Sequence, residues 1–418
     1  MATKYKFPKR FLWGAATSAH QVEGGTSNQW TSWEHHNAPT LAAQSQYVYG
    51  SLDNWDSLKA EAQKPSNYLS GRAVDSYNRI EDDVALIKKM NMNAYRFSIE
   101  WSRVEPSENT WDSDAIDHYK DYIKLLKKHD IEPIITLFHF TLPDWFQSIG
   151  GFAKRRNVKY FERFARKIVS ELGVTIRYIV TINEPEVYAS ASYYQGDWPP
   201  NLTSRYKWWR VINNLAYAHR RVARTIHGLN RRYRVSIAKN SSYFYPGDDA
   251  WLSRLSARVM QYTHNDYFLK KVIKSCDYIG LNYYFSNRVY GYRVHNQQDN
   301  LSDLAWSMDP SDIQFVLEQL SSKYKLPILI TENGLADSDD SRRKWWISET
   351  ISAMQSARNN GVDLIGYLHW SLLDNFEWNK GYWPKFGLAS VNKDTLDRTL
   401  RPSAVWFGKI IKYLRQAS

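Results

Sequence analysis

The chain contains 418 residues, with 55 lysines and arginines against 43 aspartates and glutamates, which gives a net charge of +12. Its single cysteine, Cys276, excludes an internal disulfide, fits a reducing compartment and is expected to be a small buried residue. No stretch approaches the roughly 20 apolar residues of a membrane span, and the first residues lack the apolar core of a signal peptide. We therefore expect a cytoplasmic protein without a membrane partner.

The excess of basic residues is only mildly clustered along the chain. It occurs in short runs such as Arg155-Arg156, Arg220-Arg221 and Arg342-Arg343-Lys344. Solvated faces explain such runs more simply than a nucleic-acid groove, so we expect no nucleic-acid partner, although the net charge keeps that alternative open. The 18 tryptophans and 29 tyrosines exceed what an ordinary core requires, and flat rings with a polar edge suit sugars as well as protein interiors.

Short β-like runs alternate with amphipathic helical stretches along the whole chain. The predicted strands cover residues 11–18, 94–101, 131–140, 178–184, 234–241, 278–284, 327–332 and 364–370. Between them, stretches such as IEDDVALIKKM (80–90) place apolar residues at three- and four-residue spacing. Eight alternations without a central linker favour one (β/α)8 TIM barrel over two doubly wound domains, so residues 1–418 are predicted to form a single domain. The one long irregular insertion is predicted around residues 37–71.

The carboxyl ends of parallel barrel strands meet on one face, where active sites form. The residues at or just beyond the predicted strand ends are mainly carboxylates, amides and aromatic rings. They are Gln21, Glu23, Arg96, Glu100, His139, Asn183, Glu184, Asn282, Tyr284, Glu332 and Trp370, with Glu377 and Trp378 in the loop after the last strand. This set contains no metal-ligand spacing, glycine-rich phosphate loop or serine elbow, so we predict neither a metal nor a cofactor.

Two of these carboxylates come from strands on opposite sides of the ring. Glu184 follows the fourth strand and Glu332 ends the seventh. Such a pair suits glycoside hydrolysis, because one carboxyl can protonate the leaving oxygen while the other stabilises or attacks the anomeric carbon. A separation of about 5 Å would mean retention and one nearer 9 Å inversion. Sequence spacing leaves that choice open.

Several motifs then occur in the order of one known family. TINEP (181–185) and ITENG (330–334) resemble glycoside hydrolase family 1, which contains β-glucosidases and β-galactosidases. The resemblance extends over nearly the whole chain through FLWGAATSAHQVEGG, YRFSIEWSRVEP, TLFHFTLPDWF, DYIGLNYY, WSLLDNFEW and RPSAVWFGKII. Each motif alone would be weak evidence, but their shared order makes the resemblance specific.

The resemblance implies a retaining enzyme that hydrolyses terminal β-D-glucosides, and also β-galactosides and β-fucosides, through a covalent glycosyl-enzyme. By position, Glu332 resembles the nucleophile and Glu184 the acid/base. Arg96 and Asn282 resemble residues that support the nucleophile. The residues that match positions contacting the sugar are Gln21, His139, Asn183, Tyr284, Trp370, Glu377 and Trp378. The implied partners are small β-glycosides and short oligosaccharides.

Some departures and alternatives affect the predicted specificity. Phe140 stands where the family often has tryptophan, so one indole donor to the sugar is lost. A sister group of the family that acts on 6-phospho-sugars has a serine at the position of Glu377. A carboxylate there would repel phosphate, so neutral β-glycosides are favoured although the net charge is basic. Glu184 argues against the thioglucosidase branch, in which that position resembles glutamine. A non-catalytic sugar-binding barrel is a further alternative, but it would be expected to lose Glu184 or Glu332.

Overall fold

The computed structural model describes residues 5–296 and 300–416, and a closed ring of eight parallel strands lies at its centre. The strands are β1 (Leu12–Ala16), β2 (Ala94–Ser98), β3 (Glu132–Phe138), β4 (Tyr178–Asn183), β5 (Arg234–Asn240), β6 (Ile279–Tyr283), β7 (Ile328–Asn333) and β8 (Leu364–Trp370). Each strand pairs in parallel with the next, and β8 closes the ring on β1, with Trp370 opposite Ala16. The predicted (β/α)8 TIM barrel is confirmed, and each predicted strand overlaps an observed one.

Helices cover the outside of the ring and fold over its ends. The α-helices are Ala19–Val22, Gln29–Tyr49, Trp55–Ala62, Ile80–Lys89, Trp101–Val104, Ser113–Lys128, Asp144–Ser148, Val158–Leu172, Pro185–Ser190, Arg205–Leu229, Trp251–Gln261, Tyr267–Val272, Ile313–Tyr324, Arg343–Asn359 and Pro402–Gln416. Their packing follows the apolar period of the sequence. In Val158–Leu172, for example, Phe161, Phe164 and Ile168 recur at three- and four-residue spacing and are buried.

Apolar side chains fill the inside of the ring, so the barrel is a packed core. They include Leu12, Ala94, Ile134, Val180, Ala238, Leu329 and Leu368, which are buried. Cys276 is also buried, as predicted, and its Sγ lies 3.4 Å from Nε2 of His219.

The prediction of an irregular insertion around residues 37–71 is wrong, because most of this segment is helical. The helix Gln29–Tyr49 begins at Asn28, whose side chain accepts hydrogen bonds from the backbone of Trp30 and Thr31 at 2.9 and 3.1 Å. It continues through Pro39, a residue that normally ends a helix. Its buried residues are small or polar as often as apolar, which hides the helical period in the sequence.

Irregularities of strand pairing lie beside the predicted catalytic residues. The pairing of β4 with β5 shifts register between Val180 and Asn183, and the pairing of β7 with β6 shifts between Ile330 and Glu332. Such bulges bend a strand and re-aim the side chains that follow. They lie at the carboxyl ends of the two strands that carry Glu184 and Glu332.

Two small sheets lie outside the barrel. One joins Tyr243–Pro246, Ser286–Tyr290 and Arg293–Val294, which follow β5 and β6, and the other pairs Ala389–Val391 with Arg398–Leu400. Within residues 5–296 and 300–416, no helix has the length and apolar character needed to cross a membrane.

Candidate active site

Glu332 ends β7 in a buried pocket of hydrogen-bond donors. Arg96 of β2 donates from Nη1 to Glu332 Oε1 at 2.6 Å, and the Tyr284 hydroxyl donates to Oε2 at 2.7 Å. The Arg96 side chain is completely buried, and its remaining nitrogens bind Thr136 Oγ1 at 2.9 Å and Asn183 Oδ1 at 2.7 Å. The guanidinium is therefore fixed in one orientation toward the carboxylate.

Burial and these donors have opposite effects on the pKa of Glu332. Burial raises the pKa, whereas the charge of Arg96 and hydrogen bonds from Tyr284, Arg96 and Asn282 lower it. Burial is the larger effect, so the pKa of Glu332 lies above its ordinary value. The donors nevertheless all favour the ionised carboxylate.

Glu184 lies directly after β4 and receives two amide donors on the same oxygen. Nδ2 of Asn282 donates to Glu184 Oε1 at 2.8 Å, and Nδ2 of Asn240 donates to it at 3.1 Å. Because Oε1 accepts both bonds, Oε2 is the oxygen that can carry the proton of the neutral acid.

The pKa of Glu184 is raised to about 7, first by burial and then by the negative charge of Glu332. Hydrogen bonds from Asn282 and Asn240 and the charge of Lys239 lower it. Separate environments for two neighbouring carboxyls are typical of an acid/base paired with a nucleophile.

The sequence-based list missed a group of polar residues beside Glu184. Lys239 and Asn240 end β5, and the Lys239 ammonium lies 3.2 Å from Glu186 Oε1 and also binds the carbonyl of Asn240. His264 Nε2 lies 3.3 Å from Asn240 Oδ1. Burial and then the charge of Lys239 lower the pKa of His264 to about 3, so the ring is neutral and can donate to Asn240. The sequence did offer a signal for these residues. The fifth strand was predicted, but no residue at its carboxyl end was included in the predicted site.

Several residues predicted to contact a sugar lie together around Gln21 and Glu377. The Gln21 amide donates to the Phe376 carbonyl at 2.8 Å and to Glu377 Oε2 at 3.3 Å. Burial raises the pKa of Glu377 to about 7, the charge of Lys380 lowers it, and the charge of Glu332 raises it.

His139, at the end of β3, is held by its neighbours with one ring nitrogen free. Nδ2 of Asn183 donates to His139 Nε2 at 3.1 Å, which leaves Nδ1 to carry the proton. Nδ1 is buried and has no hydrogen-bond partner among the residues described. Burial lowers the pKa of His139 well below its usual value, so the ring is neutral. A neutral imidazole with a spare N–H can donate to a hydroxyl group.

Aromatic rings form a wall beside these polar groups. The His139 ring stacks against Trp370 at 5.7 Å and against Trp378 at 6.1 Å between ring centroids. Phe140 lies 5.2 Å from Trp378 and 5.0 Å from Trp198. The phenyl ring of Phe140 therefore packs into the wall without offering the N–H that tryptophan would supply.

Three of these residues have left-handed backbone conformations, which residues other than glycine normally avoid. Phe140, Glu184 and Trp378 have φ angles of 71°, 39° and 52°. Left-handed backbone at residues other than glycine costs of order 1–3 kcal/mol each and concentrates at functional sites. The surrounding contacts therefore hold these side chains in place against a local energetic cost.

Two carboxylates at predicted strand ends bind residues outside the group around Glu184 and Glu332. Glu23 binds the Tyr119 hydroxyl at 2.7 Å and Arg103 Nε at 3.1 Å. Glu100 accepts from Ser102 at 2.7 Å and Thr141 at 2.9 Å, which fits a structural role. Within the described residues, no group of three or more His, Cys, Asp or Glu is arranged to hold a metal ion.

Comparison of the sequence with known protein families assigns the chain to one of them. The sequence model of glycosyl hydrolase family 1 matches residues 3–281 and 269–415. The chain belongs to glycosyl hydrolase family 1. It is thus a glycoside hydrolase, an enzyme that acts on O-glycosyl bonds.

Individual family 1 proteins match over almost their whole length. The β-glycosidase from Pyrococcus horikoshii is 33% identical, with a TM-score of 0.87 over 99% of this chain and 96% of that one. A β-glucosidase from Thermotoga maritima in complex with deoxynojirimycin is 26% identical, with a TM-score of 0.85 over 98% and 99% of the two chains. β-Glucosidase A of Thermotoga maritima is 28% identical over 97% of this chain and 98% of its own.

Proposed function

We propose that this family 1 enzyme is a retaining β-glycosidase that hydrolyses terminal, non-reducing β-D-glucosides, and also β-galactosides and β-fucosides. One catalytic domain formed by residues 1–418 would act on small glycosides and short oligosaccharides in the cytoplasm, without a cofactor. The observation that carries the proposal is the contrast between the two carboxyls. Glu332 is held by Arg96 and Tyr284 in a way that favours its anion, whereas Glu184 has a pKa of about 7 and can remain protonated.

In the first step, Glu332 attacks the anomeric carbon while Glu184 donates the proton on Oε2 to the glycosidic oxygen. The bond to the aglycone breaks, the aglycone leaves as an alcohol, and a covalent bond joins the sugar to Glu332. Asn282 contacts both carboxyls that take part in this step, because it donates to Glu184 and also hydrogen-bonds Glu332.

In the second step, Glu184 has lost its proton and acts as a base. Because the charge of Glu332 raises the pKa of Glu184, esterification of Glu332 removes one cause of that rise. Glu184 then takes a proton from water, which attacks the anomeric carbon and releases Glu332 as the anion. Arg96 and Tyr284 hold the returning carboxylate.

The sugar-binding roles follow from the positions of these polar groups, from the unpartnered Nδ1 of His139 and from the aromatic wall. We propose that Gln21, Asn183 and Glu377 bind sugar hydroxyls, that the Nδ1 proton of His139 is donated to one of them, and that Tyr284 contacts the sugar beside the nucleophile. Trp370 and Trp378 would pack against the faces of the ring. The neighbour from Thermotoga maritima that binds deoxynojirimycin supports a site for one sugar-sized ring.

The alternatives predict different sites. A sugar-binding barrel without catalysis would gain nothing from a Glu184 proton poised near neutral pH. A site for 6-phospho-sugars would have to accommodate phosphate beside the Glu377 carboxyl, although the charge of Lys380 acts on that group too. We therefore propose neutral glycosides as substrates.

The proposal is tested by replacing each carboxylate with alanine and adding azide. Glu332→Ala removes the attacking atom, so every substrate should lose activity. Glu184→Ala should cripple hydrolysis of disaccharides, while a nitrophenyl glucoside still forms the covalent intermediate because its leaving group needs no proton. Azide needs no base, so it should accelerate turnover of nitrophenyl glucoside by Glu184→Ala and yield the β-glycosyl azide.

The anomer formed identifies the residue that has been lost. Glu332→Ala with azide should give the α-azide from a β-glycoside, because the anion then replaces the nucleophile. NMR spectra of the two products distinguish the anomers. The opposite pairing would reverse the two roles, and an inverted sugar as the product of the unmodified enzyme would exclude the retaining mechanism.

A further inference from the structure

An exposed apolar row runs along the helix Trp251–Gln261, which follows β5. Trp251, Leu255 and Val259 are 73%, 49% and 51% exposed, and Tyr262, just past the helix, is 43% exposed. Their spacing of three and four residues places them on one side of the helix. Single exposed apolar residues are ordinary, but a row of four large ones marks an interaction surface.

Further exposed apolar residues flank this row, on the helix itself and on the hairpin that packs against its buried side. Leu252 is 37% exposed and lies next to Gly291, whose backbone N–H donates to Ser253 Oγ at 2.8 Å. Gly291 belongs to the turn after Ser286–Tyr290, where three further large residues are exposed. We call the whole set the apolar surface: Trp251, Leu252, Leu255, Val259, Tyr262, Tyr290, Tyr292 and Val294.

Basic side chains accompany the apolar surface. Arg254 and Arg258 are one helical turn apart on Trp251–Gln261 and both are exposed, as is Arg293 beside Tyr292. Arg258 and Arg293 form no ion pair with any carboxylate in residues 5–296 or 300–416, whereas Arg254 pairs with Asp249 at 2.9 Å. The exposed acids Asp248 and Asp249 at the start of the helix offset these arginines in part. With three arginines against two acids and a net charge of +12 on the chain, the surface favours an anionic partner.

The surface is placed on the side of the barrel that holds the candidate active site. Its elements follow the carboxyl ends of β5 and β6. The segment just past the helix contains His264, which contacts Asn240, and Asn240 binds Glu184. The surface therefore lies on the side of the acid/base, where the leaving group of a substrate departs.

We propose that the apolar surface docks this enzyme onto an anionic lipid bilayer, with its tryptophan, tyrosines and aliphatic side chains in the interface and its arginines at the lipid headgroups. A short helix with one apolar side and flanking arginines has the composition of interfacial segments, in which tryptophan and tyrosine sit at headgroup level. A second copy of the chain fits less well, because pairing this surface with itself would bring like charges together. The sequence-based expectation of no membrane partner rested on the lack of a membrane span and of a signal-peptide core, and neither observation concerns contact with the surface of a bilayer.

Sedimentation of the full-length protein with phospholipid vesicles tests this proposal and requires no enzymatic activity. Binding should be strong to equimolar phosphatidylcholine and phosphatidylglycerol and weak to phosphatidylcholine alone. The double variant Trp251→Ser/Leu255→Ser should bind the anionic vesicles at least about tenfold more weakly, since it removes two large apolar side chains from the interface. Arg254→Gln/Arg258→Gln should reduce the preference for anionic vesicles.

Matched variants on exposed residues elsewhere provide the control. Tyr47 and Val174 are 93% and 71% exposed, so Tyr47→Ser/Val174→Ser removes comparable apolar groups outside the surface. Lys88→Gln/Lys89→Gln neutralises two exposed cations at the end of Ile80–Lys89, and both control variants should bind vesicles as the unmodified protein does. Equal binding by surface and control variants would overturn the proposal, as would no vesicle binding at all. A dimer in sedimentation equilibrium that Trp251→Ser/Leu255→Ser dissociates would overturn it in favour of a second copy.

Discussion

At the scale of single residues, Lys239 distinguishes the surroundings of Glu184, the proposed acid/base, from those of Glu332, the proposed nucleophile. It is buried, lies 3.2 Å from Glu186, and its positive charge lowers the pKa of Glu184. The other groups that act on Glu184 are Glu332, Asn240 and Asn282. Lys239 is the cation in this set, so its removal should change the proton affinity of the acid.

We predict that Lys239→Met shifts the alkaline limb of the pH profile of kcat/KM upward. The pKa of Glu184, about 7 in the unmodified enzyme, should rise when the neighbouring positive charge is lost, so the acid stays protonated to higher pH. The pH dependence of disaccharide hydrolysis measures the shift, because the leaving group of a disaccharide needs the proton of Glu184.

A second variant separates this electrostatic effect from a loss of packing. Lys239→Arg keeps the charge and should leave the alkaline limb near its original position even if kcat falls. An unchanged limb in Lys239→Met would show that Lys239 does not act on the proton of Glu184.

Glu377 offers a prediction about substrate choice. If its carboxyl binds O6 of the sugar, Glu377→Ser should reduce kcat/KM for glucosides and galactosides by about tenfold to a hundredfold, the effect of losing one charged hydrogen bond. Fucosides lack the O6 hydroxyl and should lose much less. Kinetics on the three nitrophenyl glycosides provide the comparison, and Glu377→Gln, which can still hydrogen-bond, should fall between. Equal losses for all three sugars would mean that Glu377 does not bind O6.

At the scale of secondary-structure elements, close contact between strands determines which side chains the barrel tolerates. Gly14 of β1 faces β2 so closely that a Cβ atom at this position would lie 2.1 Å from the Ala94 carbonyl oxygen. Main-chain atoms of a paired strand cannot move aside as a flexible side chain can. The absence of a side chain at Gly14 is therefore a condition for closing the ring between β1 and β2.

We predict that Gly14→Ala lowers the free energy of unfolding by about 1–3 kcal/mol or more, the usual cost of overpacking a core. Gly228 provides the matched control, because a Cβ there meets nothing within 4 Å. It lies near the end of the helix Arg205–Leu229, where Gly228→Ala should be neutral or stabilising by up to about 1 kcal/mol. Urea denaturation of the three proteins measures both effects, and similar stabilities for the two variants would contradict the close contact.

Sequence patterns predicted the strands of this protein but missed one helix and one residue at a strand end. Alternation of apolar runs and amphipathic stretches predicted each of the eight strands, because burial on both faces requires continuous apolar residues. The helix through Pro39 was missed because its stability comes from tertiary packing rather than from its own sequence. Asn240 was missed although its strand was predicted, since the pattern did not show which residue at that strand end turns toward Glu184.

At the scale of the whole molecule, buried carboxyls link stability to pH. The pKa values of Glu23, Glu184 and Glu377 are each raised to about 7 from an ordinary value of 4.5. The unfolded chain loses these protons near pH 4.5, whereas the folded protein keeps them until about pH 7. Their contribution to stability is therefore complete below pH 4.5 and is lost as the pH rises to about 7.

We predict that Glu184→Gln becomes more stable relative to the unmodified protein as the pH rises from 4 to 8. The gain should be roughly 3 kcal/mol, because the amide remains neutral and avoids the cost of ionising a buried carboxyl. Urea denaturation at each pH gives the difference, and Glu81→Gln, at an exposed glutamate, should show no such trend. A constant difference between Glu184→Gln and the unmodified protein would mean that Glu184 ionises in the folded state as easily as in the unfolded one.

The sequence by itself indicated the family and the barrel, and it singled out Glu184 and Glu332 as the pair of carboxylates proposed for catalysis. Apolar periodicity follows from local chain geometry, and motifs such as TINEP and ITENG lie at strand ends that the fold must bring to one face. Only the tertiary structure decided that Asn282 and Asn240 donate to the same oxygen of Glu184, that Glu23 is bound by Tyr119 and Arg103, and that Lys239 lies beside Glu186. The pKa of a carboxyl depends on burial and on charges from distant parts of the chain, and the apolar surface depends on which residues remain uncovered after packing. Neither quantity is a property of local sequence, because both arise when separate segments meet.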